Sequence, residues 1–171
     1  LAVLSGILMV LAFPGISLSS LAFVALVPLL VAIYDTGWKH SLLLGFVAGV
    51  TYFGGTLNWF LALGPFSSMF WVILGFAALV LYLSSYVFVF TVFINFVTKH
   101  WVLNTARGRT LSFIQRLTYI LLVAVVWTGM EVLRGWLATG LPWVCLAHTQ
   151  WRNLPLIQIS SLTGMYGVTF L

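Results

Sequence analysis

The sequence predicts an all-α protein, a polytopic transmembrane helix bundle with about six spans. Three observations lead there. The chain of 171 residues is 63% hydrophobic and only 5% charged, whereas a soluble domain carries about 25% charged residues. Its apolar runs are continuous rather than alternating, which argues against a membrane β-barrel built from alternating strands. Helices also satisfy their own backbone polar groups in hydrocarbon. Finally, 8 Trp, 6 Tyr and 14 Phe suit a protein that crosses two headgroup layers.

A bilayer core of about 30 Å needs roughly 20 apolar residues per helix. The first run, Leu1 to Phe13, ends at Pro14 and Gly15, which break a helix. It reads as a span rather than a signal peptide, because no basic stretch precedes it and no small-x-small cleavage site follows. The second run goes from about Ile16 to Tyr34, and the third from Ser41 to about Leu63. In the third, Gly45 and Gly49 have the small-xxx-small spacing that lets helices approach closely; ordinary glycine usage in membrane helices is the other reading. Met69 to Val97 forms the fourth run and roughly Leu117 to Leu137 the fifth. A sixth starts near Leu154. It is the most polar, with Gln158, Ser160, Ser161, Thr163 and Gly164, so other helices are expected to shield it. Both ends fall inside apolar runs, and a longer natural chain is expected. With no repeat or low-complexity segment visible, residues 1–171 read as a single transmembrane domain.

The net charge of +5 does not point to nucleic acid. Only 7 Lys and Arg exist, far apart, whereas a nucleic-acid surface clusters them. They read instead as topology signals. Lys39, Lys99, Arg107, Arg109 and Arg116 lie in two links that parity puts on one side, and Arg134 and Arg152 lie on the other. The positive-inside rule then makes the two basic links cytoplasmic and turns the loop after the fifth span outward. Trp59, Trp71, Trp136, Trp143 and Trp151 fall at the outer interface, against Trp38 and Trp101 at the inner one.

The residue that stands out is Glu131, near the outer end of span five. Charges within spans are costly and by default suggest function. Arg134 is three residues on and Trp127 four residues back, so all three share a helix face. A structural ion pair and a direct contact to substrate or lipid headgroup are both open. The following stretch, Gly140 to Gln150, contains Pro142 and Trp143 and reads as an interfacial turn. No Gly-x-Ser-x-Gly elbow occurs, and His40, His100 and His148 stand in separate loops that cannot share one metal. Cys145 is the only cysteine; thiolate chemistry needs a base or cation beside it, and because both lysines, Lys39 and Lys99, are expected across the membrane, it reads as an inert buried thiol. No catalytic residue, metal or cofactor is assigned.

The segment Glu131-Val-Leu-Arg134-Gly135-Trp136-Leu-Ala-Thr139-Gly140-Leu-Pro142-Trp143 resembles a signature of the apolipoprotein N-acyltransferases, Glu-x-Leu-Arg-Gly-Trp-x-x-Thr-Gly-Phe-Pro-Trp. Gln150 stands where that family has a glutamine. Leu11 to Pro14 resembles its end of span one, and Phe53 to Trp59, with Asn58, its end of span three. Pro155 to Gln158 and Gly164 to Leu171 resemble its span six. Leu141 and His148 depart from the pattern, at positions usually aromatic and tyrosine. The resemblance implies an eight-span protein of the bacterial inner membrane with a nitrilase-like catalytic domain outside, beyond Leu171. It implies an acyl chain taken from a phospholipid as a thioester and passed to the amino-terminal cysteine of a diacylglyceryl-modified apolipoprotein. The role expected for this chain is to hold those two lipid substrates. The candidate cavity residues are Glu131, Arg134, Trp136, Pro142, Trp143, Gln150, Asn58 and Trp59. A transporter fragment or a structural membrane scaffold is the alternative.

Overall fold

A computed structural model describes residues 1–103, 110–137 and 140–171. Among the described residues the chain is mainly helical and holds no strand. Helix α1 spans Ala2–Ala12, α2 Val27–Ile33, α3 Trp38–Thr56, α4 Met69–Val97, α5 Phe113–Trp136, α6 Leu154–Ile157 and α7 Ser160–Phe170. Tight turns at Ser19–Phe23, Asn58–Phe66 and Leu146–Gln150 join them, and wide turns extend α4 through Thr98–Leu103.

The centre of the bundle is α3, flanked by α4 and α1. Its glycines make that possible. A Cβ added at Gly49 would lie 2.9 Å from both Cα and Cβ of Ser84 on α4, and one at Gly45 would press on Phe88 and Thr91. Gly45 and Gly49 are therefore contact residues, and the small-xxx-small reading of the sequence holds. Tyr52, Phe53, Leu83, Phe90 and Met9 fill the core. Polar ties cross it: Thr91 Oγ1 donates to Ser41 O (2.9 Å), and Asn95 Nδ2 donates to Ile33 O (2.8 Å). Buried polar groups need such partners, because an unpaired one costs about 1–3 kcal/mol.

Two helices are long and apolar enough to cross a membrane, Met69–Val102 with 34 residues and Phe113–Trp136 with 24. A third crossing is reached if α3 and Asn58–Phe66, bent by 50°, count as one span. Of the about six spans expected, two or three are helices of full crossing length, and local chemistry explains why the other runs form shorter helices. The first run gives only the 11 residues of α1, which stops before Pro14 and Gly15 (φ 126°). The second run is interrupted because Pro28 fits only the first turn of a helix, so α2 begins at Val27. The third bends after Gly54 and Gly55, and its last part carries Pro65 inside a tight turn. The sixth divides into α6 and α7, and α7 is kinked at Gly164 (φ 66°).

The fourth run coincides with α4. The fifth starts earlier than expected, at Phe113, because Ser112 and Gln115 form a reciprocal capping box. Among the described residues no helix covers the polar side of the sixth segment. Gln158, Ser160, Ser161 and Thr163 are exposed. The hydroxyls turn back onto their own helix instead: Ser160 Oγ donates to Ile157 O (2.6 Å) and Ser161 Oγ to Gln158 O (2.7 Å). Arg107, Arg109 and Thr139, used above for topology and motif, lie outside the described residues.

Candidate functional site

The ends of α1, α3 and α5 and the start of α4 meet at one end of the bundle, where the chain from Gly140 to Asn153 folds over them. Glu131 sits in the last turns of α5, 3% exposed. Its Oε1 accepts from Trp127 Nε1 (3.1 Å) and from the backbone N–H of Leu146 (2.9 Å), and its Oε2 accepts from Thr169 Oγ1 (2.7 Å). One helical turn on, Arg134 is equally buried. Its Nη2 donates to Val144 O (3.1 Å) and to Cys145 Sγ (3.2 Å), and the guanidinium lies 5.2 Å from the centre of the Phe53 ring.

Among the described residues, then, the two charges do not form a direct ion pair. The helical spacing puts them on one face, as the sequence predicts, but each reaches past the other to a different part of the same loop. Glu131 holds the loop at Leu146 and Arg134 holds it at Val144 and Cys145. Tyr52, from α3, adds a third hold through its hydroxyl, which donates to Val144 O (2.8 Å). The clamp explains an unusual backbone: Val144 has φ 58°, a region that β-branched residues rarely enter. Such conformations persist only where surrounding contacts over-determine them, and they cluster at functional sites.

Further ties fix the loop. Thr169 Oγ1 accepts from Ala147 N (3.2 Å) while donating to Glu131, so α7 is part of the same network. Gln150 Nε2 donates to Ser19 O (2.9 Å), 131 residues away in sequence. Gln150 is therefore a buried anchor of the loop rather than a lining group. Cys145 is fully buried, and burial with the nearby Glu131 carboxylate pushes its thiol up to about 12. It stays a neutral thiol at physiological pH. His148 Nδ1 accepts from Cys145 N (3.1 Å), and burial, then the Arg134 guanidinium, lowers its pKa.

The outer side of the loop is aromatic. Trp143 and Trp59 meet with ring centres 5.6 Å apart, and both are about half exposed. Asn58 and Pro142 are exposed beside them. Trp136 is 81% exposed. Of the candidates, Glu131, Arg134 and Gln150 build the inside of the site, and Trp59, Trp143, Asn58 and Pro142 its surface. Sequence reading missed Tyr52, Val144 and Thr169. No local signal marks them, since their partners lie 92, 10 and 38 residues away. Below the loop an apolar cleft of about 350 Å³ runs between the Ala22–Leu30 stretch and α5, lined among others by Leu26, Tyr119, Val123, Leu146 and Val168.

Comparison with known proteins gives the family of the chain. The apolipoprotein N-acyltransferase N-terminal domain family matches residues 5–171. An apolipoprotein N-acyltransferase of Geobacter metallireducens is 34% identical over 172 residues, covering 100% of this chain and 30% of the relative. Those of Haemophilus influenzae and Pasteurella multocida are 28% and 26% identical over 171 residues, each covering 99% of this chain and 30% of the relative. The chain thus spans about 30% of the length of these relatives. With the match covering nearly every residue, the chain belongs to the family of apolipoprotein N-acyltransferase N-terminal domains.

Proposed function

We propose that residues 1–171 act as one membrane domain of an apolipoprotein N-acyltransferase. In this reading the domain holds a phospholipid acyl donor and a diacylglyceryl-modified apolipoprotein for acylation of the lipoprotein's amino-terminal cysteine. The observation that carries the reading is the clamp of Glu131, Arg134 and Tyr52 on the loop at Val144 to Leu146. Three buried polar groups from two helices hold a strained loop, and that loop presents Trp143 against Trp59 at a bundle end. Rigid supports of this kind position groups for reaction, and orienting two reactants lowers the barrier to their meeting. The apolar cleft beside α5 suits a lipid tail. Glu131, Arg134 and Gln150 support the loop; Trp59, Trp143, Asn58, Pro142 and Trp136 would face lipid. Acyl transfer through a thioester belongs to the part of the protein beyond these residues.

The same reading puts the protein in the bacterial inner membrane as a multi-pass protein, with the loop outside and the basic links inside. The short apolar helices α1, α2, α6 and α7 complete crossings that are interrupted rather than regular. The test is acyl transfer by the full-length protein in mixed micelles, with phospholipid and a diacylglyceryl peptide. Trp59→Ala with Trp143→Ala should raise KM for the lipid substrates several-fold while leaving the thermal midpoint within a few degrees. Absence of any acyl transfer by the unmodified protein would overturn the enzyme reading, and an unchanged KM would overturn the role of this surface. A pure scaffold predicts the second outcome.

A further inference from the structure

A small cavity lies behind the clamp, between α3, α4 and α5. Its walls include Phe53, Tyr86, Val87, Trp127, Glu131 and Arg134, and it offers about 10 Å³ of free space. Arg134 Nε is buried there without a hydrogen-bond partner, while Nη2 of the same guanidinium makes both of the bonds that hold the loop. A buried guanidinium N–H left unpaired is costly, because hydrogen bonds to charged groups are stronger than neutral ones.

We propose that this cavity is a water site, and that one water molecule bridges Arg134 Nε to the Glu131 carboxylate. Size selects the ligand first: about 10–15 Å³ of such space accommodates one water, and nothing as large as a phosphate or a lipid methyl chain. Chemistry selects it second. The occupant must accept from Arg134 Nε and donate to a carboxylate oxygen, so it needs both a lone pair and a proton. An anion is repelled by Glu131, a metal cation by Arg134, and an apolar group leaves Nε unpaired. Tyr86 also lines the cavity, and its hydroxyl pairs with Tyr82 (2.7 Å). Two to four partners are what buried waters have.

The water explains how two buried charges stay apart. The loop is held through Arg134 Nη2 and Glu131 Oε1, which leaves Arg134 Nε available for a bridge to the carboxylate. A bridging water is enthalpically nearly as good as a direct hydrogen bond. It couples the charges while leaving each free to grip its own part of the loop. The inference does not depend on the acyltransferase reading.

The test uses the full-length protein in lipid nanodiscs, with its structure determined at a resolution that shows ordered water. One peak should lie about 2.7–3.2 Å from both Arg134 Nε and a Glu131 carboxylate oxygen. A direct Nε–carboxylate contact, or an empty or lipid-filled cavity, would overturn the site. A second measurement reads the same site from stability. Val87→Ile adds a methyl group to the cavity wall. In a dry void it fills space and raises the thermal midpoint; in a water site it expels the water and lowers it by several degrees. Overpacking alone also lowers stability, so the substitution is repeated in an Arg134→Lys background, which keeps the charge and removes Nε. A smaller fall in that background supports the bridge. Equal falls, or a rise in the unmodified background, count against it.

Discussion

Replacing Glu131 separates two ways in which the carboxylate can matter, as a charge beside Arg134 or as an acceptor for three donors. Glu131→Ala removes the acceptor for Trp127 Nε1, Leu146 N and Thr169 Oγ1. Thr169 can turn its hydroxyl elsewhere, but an indole and a backbone N–H inside the bundle cannot. Each stranded donor costs about 1–3 kcal/mol, so the alanine variant should lose about 2–6 kcal/mol. Water entering near the end of the bundle moves the figure to the lower half of that range. Glu131→Gln keeps one carbonyl oxygen, which can still serve Trp127 and Leu146. Its amide can donate to Thr169 Oγ1 in place of the hydroxyl donating outward. The glutamine variant should therefore lose about 1 kcal/mol, the worth of an ordinary hydrogen-bond adjustment. Thermal and denaturant unfolding of the full-length protein in one detergent would rank them. A glutamine variant as damaged as the alanine variant would refute this reasoning and make the charge, not the acceptor geometry, the supporting element.

Gly49→Ala should destabilise by about 1–3 kcal/mol, because its Cβ meets Ser84 backbone at 2.9 Å. Gly54→Ala meets nothing within 4 Å and should be neutral or stabilise by about 0.5–1 kcal/mol; a reversed order in unfolding midpoints would contradict the α3–α4 packing. His148 has a lowered pKa in the fold, so the unfolded chain binds more protons between the lowered value and the ordinary one. Stability should be full above the ordinary histidine value and fall as pH drops toward the lowered one. The unfolding midpoint followed against pH should show this slope, and His148→Asn should remove it. For topology, a cysteine probe belongs at the exposed Arg152, since Thr149 is fully buried. A membrane-impermeant reagent applied outside should label position 152 and miss position 110, and the opposite pattern would invert the orientation.

The parts of this structure legible in the sequence are those written by local spacing. Continuous apolar length gives α4 and α5, Pro14 and Gly15 give the break after the first run, and a four-residue glycine spacing marks the close helix contact; the break before Pro28 is not read from the sequence. Helical periodicity also puts Trp127, Glu131 and Arg134 on one face. What it cannot give is the far side of each hydrogen bond. Glu131 and Arg134 look like an ion pair because opposite charges three residues apart usually are one. Here a backbone N–H at Leu146 and a carbonyl at Val144 compete better, and only the folded loop brings them within reach. Tyr52 is hidden for the same reason, as one tyrosine in a glycine-rich apolar run. Hydropathy marks six apolar runs but is blind to where a helix stops, so it does not show that only two or three of them form helices long enough to cross alone.

The central claim is that the Trp59–Trp143 surface above the clamp holds lipid substrate. The most direct measurement is photo-crosslinking in the full-length protein. It uses a phospholipid with a photoactivatable group near its ester carbonyl, followed by peptide mapping. The account predicts crosslinks concentrated at residues 58–60 and 141–144, reduced by an unlabelled diacylglyceryl peptide that competes for the same surface. Crosslinks spread evenly along the exposed faces of α4 and α5, with no enrichment near Trp59 and Trp143 and no competition, would contradict it.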